Sequence, residues 1–73
     1  MRKLFKDVFG ARVRVLRKRR NWSQEKLAEK SGLSRETISR IETGKYGTAF
    51  EYVDQIVAAF DITFSEFFQE LED

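Results

Sequence analysis

The sequence predicts an all-α protein of five helices. Three observations lead there. Proline is absent from the 73 residues. β-Branched residues nowhere alternate with polar ones over a strand-length run. Apolar residues instead recur at spacings of three and four, in segments mostly bounded by Ser or Thr in front and Gly or Asn behind. These are the period and punctuation of amphipathic helices.

The first helix is expected from about residue 5 to 20. Phe5, Phe9, Val13 and Leu16 form one apolar stripe, and Asn21 tolerates the left-handed conformation that ends a helix. The second runs from Gln24 to Ser31. Ser23 is its N-cap, Glu25 sits in the first turn where the helix dipole favours an acid, and Gly32 terminates it. The third runs from Arg35 to about Thr43, with Ser34 capping its start and Gly44 its end. Only Gly32-Leu33-Ser34 separates it from the second, so the two helices must turn sharply against each other.

Tyr46-Gly47 read as a loop. The fourth helix, Ala49 to Phe60, opens on Thr48-Ala49-Phe50-Glu51, which fits a capping box. Its apolar face is Phe50, Val53, Ile56, Val57 and Phe60. Asp61-Ile62 turn the chain, and a second capping box, Thr63-Phe64-Ser65-Glu66, opens a fifth helix to about Leu71 with the stripe Phe64, Phe67, Phe68 and Leu71.

Seventy-three residues make one domain, spanning 1–73. A chain this short buries only about 60% of the surface its unfolded form exposes, so good packing or self-association must supply stability. Cysteine and histidine are both absent. That removes disulfides, the usual zinc and haem ligands, and Ser-His or Cys-His dyads. Neither a cofactor nor a metal nor a small-molecule ligand is expected. The longest apolar run, Ile56 to Phe60, is far short of the ~20 residues a membrane span needs. Residues 1–7 are too charged for a signal peptide, and a cytoplasmic location is expected.

Charge is divided along the chain. Residues 1–45 hold all 14 Lys and Arg and five acids, whereas residues 46–73 hold seven acids and no base. A basic half suits a polyanion, and an acidic half should point away from it.

Helices two and three form a helix-turn-helix over about residues 24–43. Ala28 and Gly32 are small where the helices cross, and Ile38 and Ile41 supply a packing face. The run Trp22-Ser23-Gln24-Glu25-Lys26-Leu27-Ala28-Glu29-Lys30-Ser31-Gly32-Leu33-Ser34-Arg35-Glu36-Thr37-Ile38-Ser39-Arg40-Ile41-Glu42-Thr43-Gly44-Lys45 closely resembles the helix-turn-helix of the phage-repressor (Cro/C1-type, XRE) family. Phe9-Gly10 with Val13, Leu16 and Arg17 resembles that family's first helix, and Phe50 through Phe68 its fourth and fifth. Asn21 stands where the family usually has Gly, and Thr48 where Pro is common. In size the chain resembles stand-alone members: restriction–modification controller proteins, small phage repressors and some antitoxins. The resemblance implies a compact five-helix lambda-repressor-like fold and binding of double-stranded DNA.

Helix geometry names candidate readers. At about 100° per residue, with Ile38 facing inward, Ser39, Thr43, Glu36 and Arg40 fall on the outer face, and Arg35 lies at the N-terminal rim. A recognition helix sets its N-terminal part against base edges, so Arg35, Glu36, Thr37, Ser39 and Arg40 are the expected base contacts. Arg suits guanine O6 and N7, and Glu can accept from cytosine N4. Glu36 has two readings, a base contact or an i,i+4 partner that holds Arg40. The second is favoured, because a carboxylate near phosphates is repelled unless a base amine compensates.

Phosphate contacts are expected from Ser23, Gln24, Ser34, Thr43 and Lys45, at the ends of the unit. The basic run Arg14, Arg17, Lys18, Arg19, Arg20 reads mostly as a solvated face that steers association. Arg17 is separate: it falls inside the apolar arc of the first helix, and Glu42 falls close to Ile38 on the third. The resemblance implies that these two pair, as a partly buried ion pair orienting the recognition helix.

Six of ten aromatic residues lie in 50–73. Phe67, with Ile62 and Phe60, is expected to pack inward. Phe64, Phe68 and Leu71 are expected to form a self-complementary patch, which makes the helices at about 49–71 the dimerisation unit. Such a dimer sets two recognition helices about one DNA turn, roughly 34 Å, apart.

The leading functional expectation is a sequence-specific regulator that binds a pseudo-palindromic operator as a homodimer. Its occupancy would depend on its own concentration, as in a self-limiting repressor or controller circuit. The alternative is an antitoxin or protein-interaction module using the acidic aromatic half. RNA polymerase or another protein is a further candidate partner. An enzyme is the poorest reading, since no catalytic base, metal set or phosphate-cradling loop accompanies the Ser and acidic residues.

Overall fold

A computed structural model describes residues 4–45 and 50–69 of the chain. Five helices follow one another: α1 Phe5–Arg19, α2 Gln24–Ser31, α3 Arg35–Glu42, α4 Phe50–Ala59 and α5 Phe64–Gln69. The all-α class and the helix order match the expectation from sequence. The capping box at Thr48, the loop at Tyr46-Gly47 and Leu71 lie outside the described residues.

Local chemistry sets the boundaries. α1 ends in a Schellman arrangement: the Asn21 N–H donates to the Lys18 carbonyl at 3.0 Å and the Trp22 N–H to the Arg17 carbonyl at 3.0 Å. Asn21 takes φ +59°, the left-handed conformation that Asn tolerates better than most residues. α3 ends the same way, with Gly44 N–H on the Ile41 carbonyl at 3.2 Å and Lys45 N–H on the Arg40 carbonyl at 2.9 Å. At the N-termini, Ser23 Oγ accepts from the Lys26 N–H and Ser34 Oγ from the Thr37 N–H, each at 3.0 Å. These satisfy donors that the first helical turn leaves without a partner. The capping box of α5 is closed in both directions. Glu66 N–H donates to Thr63 Oγ1 at 3.0 Å, and Thr63 N–H to Glu66 Oε1 at 2.9 Å.

Gly32 turns α2 into α3. Its φ of +77° lies in the left-handed region, and a Cβ there would meet no atom within 4 Å, so backbone conformation alone requires glycine.

The core gathers the predicted stripes. Phe9, Val13 and Leu16 of α1 meet Leu27 and Ala28 of α2, Ile38 and Ile41 of α3, Val53, Ile56 and Val57 of α4, then Phe60 and Phe67, all buried. Full burial of each large side chain contributes about 1.5–3 kcal/mol. The rings of Phe9 and Phe67 lie 5.4 Å apart, which ties α5 to α1. Trp22 stacks on Phe60 at 5.3 Å, and the Arg20 guanidinium lies 5.2 Å from each ring.

α1 crosses α3 at Gly10. A Cβ at that position would collide with the Ile41 carbonyl oxygen and stand 3.2 Å from that of Glu42. The approach is backbone to backbone, so no side-chain movement could relieve it. This contact positions the outer face of α3.

Candidate nucleic-acid interface

α3 has two faces. Ile38 and Ile41 are buried, whereas Arg35, Glu36, Arg40 and Thr43 are exposed and Thr37 and Ser39 half-buried. Each of the five expected base readers therefore reaches the surface on or beside one side of α3. Glu36 Oε1 bonds Arg40 Nη2 at 2.9 Å across one helical turn. This is the pairing favoured above over a direct base contact by Glu36. Both partners are well exposed, so the pair adds only a few tenths of a kcal/mol to stability, on the order of 0.3–0.5. What it does is restrict where the Arg40 guanidinium goes.

Ser34 and Thr37 share a hydroxyl bond. Ser34 Oγ donates to Thr37 Oγ1 at 2.9 Å while accepting the Thr37 N–H. Thr37 keeps its own hydroxyl hydrogen to donate outward. Thr43 differs: its hydroxyl is within donating range of the Ser39 and Arg40 carbonyls, at 3.0 and 3.2 Å. The Thr43 side chain thus offers lone pairs to its surroundings. Lys45 is exposed immediately beyond α3.

Arg17 lies beneath this face. Its Nε donates to Glu42 Oε2 at 2.6 Å and its Nη2 to Glu42 Oε1 at 3.0 Å. Its Nη1 donates to the Trp22 carbonyl at 2.7 Å. The pair is buried, with the side chains 10% and 3% exposed. Hydrogen bonding to Glu42 holds the Arg17 guanidinium above its ordinary pKa, against the opposing effect of burial.

Gln24, the first residue of α2, joins the group from the other side. Its Nε2 donates to Glu42 Oε1 at 3.2 Å, and its Oε1 accepts from Arg35 Nη1 at 3.1 Å. Nothing in the sequence spacing signals either bond, because the three residues belong to different ends of two helices. A cleft of about 250 Å³ opens here, lined by Arg14, Arg17, Gln24, Glu42 and Thr43. Arg14 belongs by sequence to the basic steering run, and the structure sets it apart from Lys18, Arg19 and Arg20 by this place. The signal for it was spacing, since Arg14 precedes Arg17 by one turn of the same helix.

α5 presents its aromatic residues on two sides. Phe67 is fully buried, whereas Phe64 is 48% exposed. Phe68 is half-buried, stacked against Phe64 at 5.8 Å and edge-on to Phe67 at 5.0 Å. Phe60 is buried and Ile62 partly so, on the inward side as expected. Among the described residues no helix is long and apolar enough to cross a membrane.

Known proteins resemble this chain in sequence and in fold. Control protein C.MunI of Mycoplasma sp is 37% identical over 65 residues, which cover 88% of each chain. The competence pilus inhibition repressor of Acinetobacter baylyi is 37% identical over 59 residues, and the match takes in 54% of its length. The chain thus spans about half of that repressor, and 34% of the regulator PuuR of Escherichia coli. Among solved structures, the restriction–modification controller protein C.AhdI from Aeromonas hydrophila superposes with TM-score 0.76 at 34% identity, covering 85% of this chain and 94% of that one. A variant of the controller protein C.Esp1396I superposes with TM-score 0.85 at 25% identity, covering 99% and 91%. The helix-turn-helix family model matches residues 13–67, from the middle of α1 to the buried Phe67 of α5. With two short helices joined at a left-handed glycine and the second turning its polar face outward, the chain belongs to the helix-turn-helix family of the phage-repressor type.

Proposed function

We propose that this protein is a sequence-specific regulator that binds double-stranded DNA as a homodimer on a pseudo-palindromic operator, in the manner of a restriction–modification controller or small phage-type repressor. The observation that carries the reading is the outer face of α3. It turns Arg35, Glu36 and Arg40 to solvent while backbone contact at Gly10 and the Arg17–Glu42 pair hold the helix from behind. Protein C.Esp1396I, of the same fold, has a solved structure bound to a 25-base-pair operator site.

In this reading α3 enters the major groove, where Arg35 and Arg40 bond purine edges and Thr37 and Ser39 add shorter contacts. Ser23, Gln24 and Lys45 meet phosphates at the two rims through hydroxyl, amide and ammonium groups, and Ser34 and Thr43 join them once their hydroxyl hydrogens turn from Thr37 Oγ1 and from the Ser39 and Arg40 carbonyls to a phosphate oxygen. The exposed Phe64 and its neighbour Phe68 pair with their copies in a second chain, and the acidic half faces away from the duplex. Coupled dimerisation and binding then make operator occupancy steep in protein concentration, which suits control of the protein's own synthesis. RNA polymerase, or another protein, would meet the exposed acids Glu51 and Asp54 of α4. No reaction is catalysed.

Selection of bound sequences from random duplex DNA, combined with sizing at several protein concentrations, tests this. Enrichment of an inverted repeat by a dimer is the expected result. Failure to discriminate among duplexes even at low ionic strength overturns it. A monomer at every concentration assigns the Phe64 face to a different protein.

A further inference from the structure

We infer that the cleft between α1, α2 and the end of α3 seats one phosphodiester of the duplex backbone, with Arg14 as its cationic clamp. This rests on the reading of α3 as the helix that enters the major groove.

The cleft has one uncommitted cation. Arg17 and Glu42 form its buried side and are bound to each other. Both Glu42 oxygens accept from Arg17, and Gln24 adds a third bond to the same carboxylate. The remaining Arg17 nitrogen donates to the Trp22 carbonyl. Arg14 stands one turn before Arg17 on the same side of α1. It is exposed, and among the described residues its guanidinium has neither an ion pair nor a hydrogen bond. Its five N–H donors therefore face solvent at the lip of the cleft.

Charge, shape and place agree on a phosphate. Two cations and one carboxylate line the cleft, which leaves it one positive charge in excess. Each phosphodiester of a duplex carries one negative charge. A planar guanidinium fork meets two phosphate oxygens at once, with directed, charge-assisted bonds. The cleft, at about 250 Å³, is several times the roughly 30 Å³ that one water occupies in the liquid, so it has room for the group and for bridging water. Gln24 opens α2, whose first turn leaves backbone N–H groups without intrahelical partners and carries the positive end of the helix dipole. Thr43 follows the last residue of α3. The cleft thus lies at the end of α3 remote from Arg35, beside the groove and not over its base edges.

Lys18 supplies the contrast. It is exposed one turn further along α1, carries the same charge and stands outside the cleft. A solvated charge of that kind raises the local potential, speeds encounter and is screened by salt. A seated phosphate instead makes fixed bonds that persist in the complex, and it strengthens every sequence alike. Arg14 and Lys18, four residues apart, are therefore expected to differ in kind and not only in degree.

The test uses the full chain and the operator recovered by selection from random duplexes. Arg14→Gln should lower affinity roughly tenfold, for operator and scrambled duplex alike. It should also reduce the slope of log affinity against log salt by about 1 per chain, with the melting temperature unchanged. Lys18→Gln should act chiefly on the association rate. Duplexes in which one phosphate at a time is replaced by an uncharged methylphosphonate then locate the contact. One linkage in each half-site should weaken the native protein and leave Arg14→Gln unaffected, whereas every other contacted linkage should cost both proteins alike. Inorganic phosphate at matched ionic strength should not compete with the operator. Losses that add at every linkage, an unchanged salt slope, or equal effects of Arg14→Gln and Lys18→Gln overturn the clamp. Saturable, Arg14-dependent binding of inorganic phosphate assigns the cleft to a free phosphorylated ligand and overturns the duplex as its occupant. A native protein that prefers no duplex overturns the DNA-reading function itself, a failure distinct from both.

Discussion

Arg17 and Glu42, 25 residues apart in sequence, meet through two hydrogen bonds and bridge α1 to the last residue of α3. Buried pairs of this kind are weak evidence of net stability, because desolvating two charges offsets much of their attraction. Breaking one is a different matter. Glu42→Ala leaves a buried guanidinium with only the Trp22 carbonyl and strips Gln24 of its acceptor. A loss of about 3–5 kcal/mol is expected in chemical denaturation. The guanidinium's raised pKa adds stability that is complete below the ordinary arginine value and is lost only as pH rises through the still higher folded one, far above neutrality. The native-minus-variant difference should therefore show no contribution from Arg17 titration across the neutral range.

Gly10→Ala is expected to destabilise although alanine is the better helix former. The propensity gain is at most about 1 kcal/mol. Against it stands a Cβ that would overlap the Ile41 carbonyl, and overpacking a tight site costs about 1–3 kcal/mol. Backbone cannot rotate away as a side chain can, so α1 and α3 must separate. Denaturation midpoints of the two proteins check the sign, and a stabilised Gly10→Ala variant would contradict the close crossing.

Glu66 links α5 to pH. Hydrogen bonds from the backbone and then the side chain of Thr63 hold its carboxyl below the ordinary glutamate range. A depressed folded pKa gives stability that is present above the unfolded value and lost as pH falls through the folded one. Glu66→Gln keeps an acceptor for the Thr63 N–H but does not titrate. As pH falls through the ordinary glutamate range and below it, the stability difference between native and variant should shrink. A constant difference would mean the capping box does not form in solution.

The caps show what sequence can carry. Ser23, Asn21, Gly32, Ser34, Gly44 and Thr63 each act within a few residues of themselves, so their chemistry is visible in a short window. The same holds for the Glu36–Arg40 pair, one turn apart. The sequence marks Gly10 only through the family resemblance, because periodicity describes which face a residue occupies and not how near another backbone comes. Gln24 shows in the sequence only as a side-chain phosphate donor. Its two bonds arise only after α2 and α3 have packed, when residues 11 and 18 positions away arrive at its two ends. Arg14 illustrates the same gap, being one base in a run until folding sets it on the cleft beside Gln24.

Phe64→Ser separates assembly from folding. Phe64 is half-exposed and touches Phe68, whereas Phe67 beside it is fully buried against Phe9. Loss of a central interface aromatic weakens association by more than about tenfold. The monomer's melting should move far less than on loss of a core aromatic, since the Phe64 ring lies half in solvent and takes no part in the Thr63–Glu66 capping bonds. Sedimentation at several concentrations, run beside thermal melts, checks both halves. A variant that stays as dimeric as the native chain would place the interface elsewhere.

Arg40 and Lys45 separate reading from gripping. Arg40 stands on the outer face of α3 with Glu36 restricting its guanidinium, so in the proposed interface its loss would remove a directed contact. Lys45 lies one residue beyond the Gly44 turn, a flexible point charge suited to phosphate. Arg40→Ala should relax preference at one position in each half-site, costing about 1–3 kcal/mol against the preferred base pair. Lys45→Ala should weaken all duplexes by one factor and reduce the slope of log affinity against log salt by about 1 per chain. Glu36→Gln provides the internal control. It frees the Arg40 guanidinium without removing it, so it should blunt the Arg40 preference while slightly strengthening non-specific binding, because a negative charge near phosphates is gone. Binding isotherms at three salt concentrations, on operator and scrambled duplexes, distinguish these outcomes. Equal effects of Arg40→Ala on both duplexes would move Arg40 from the groove to the backbone.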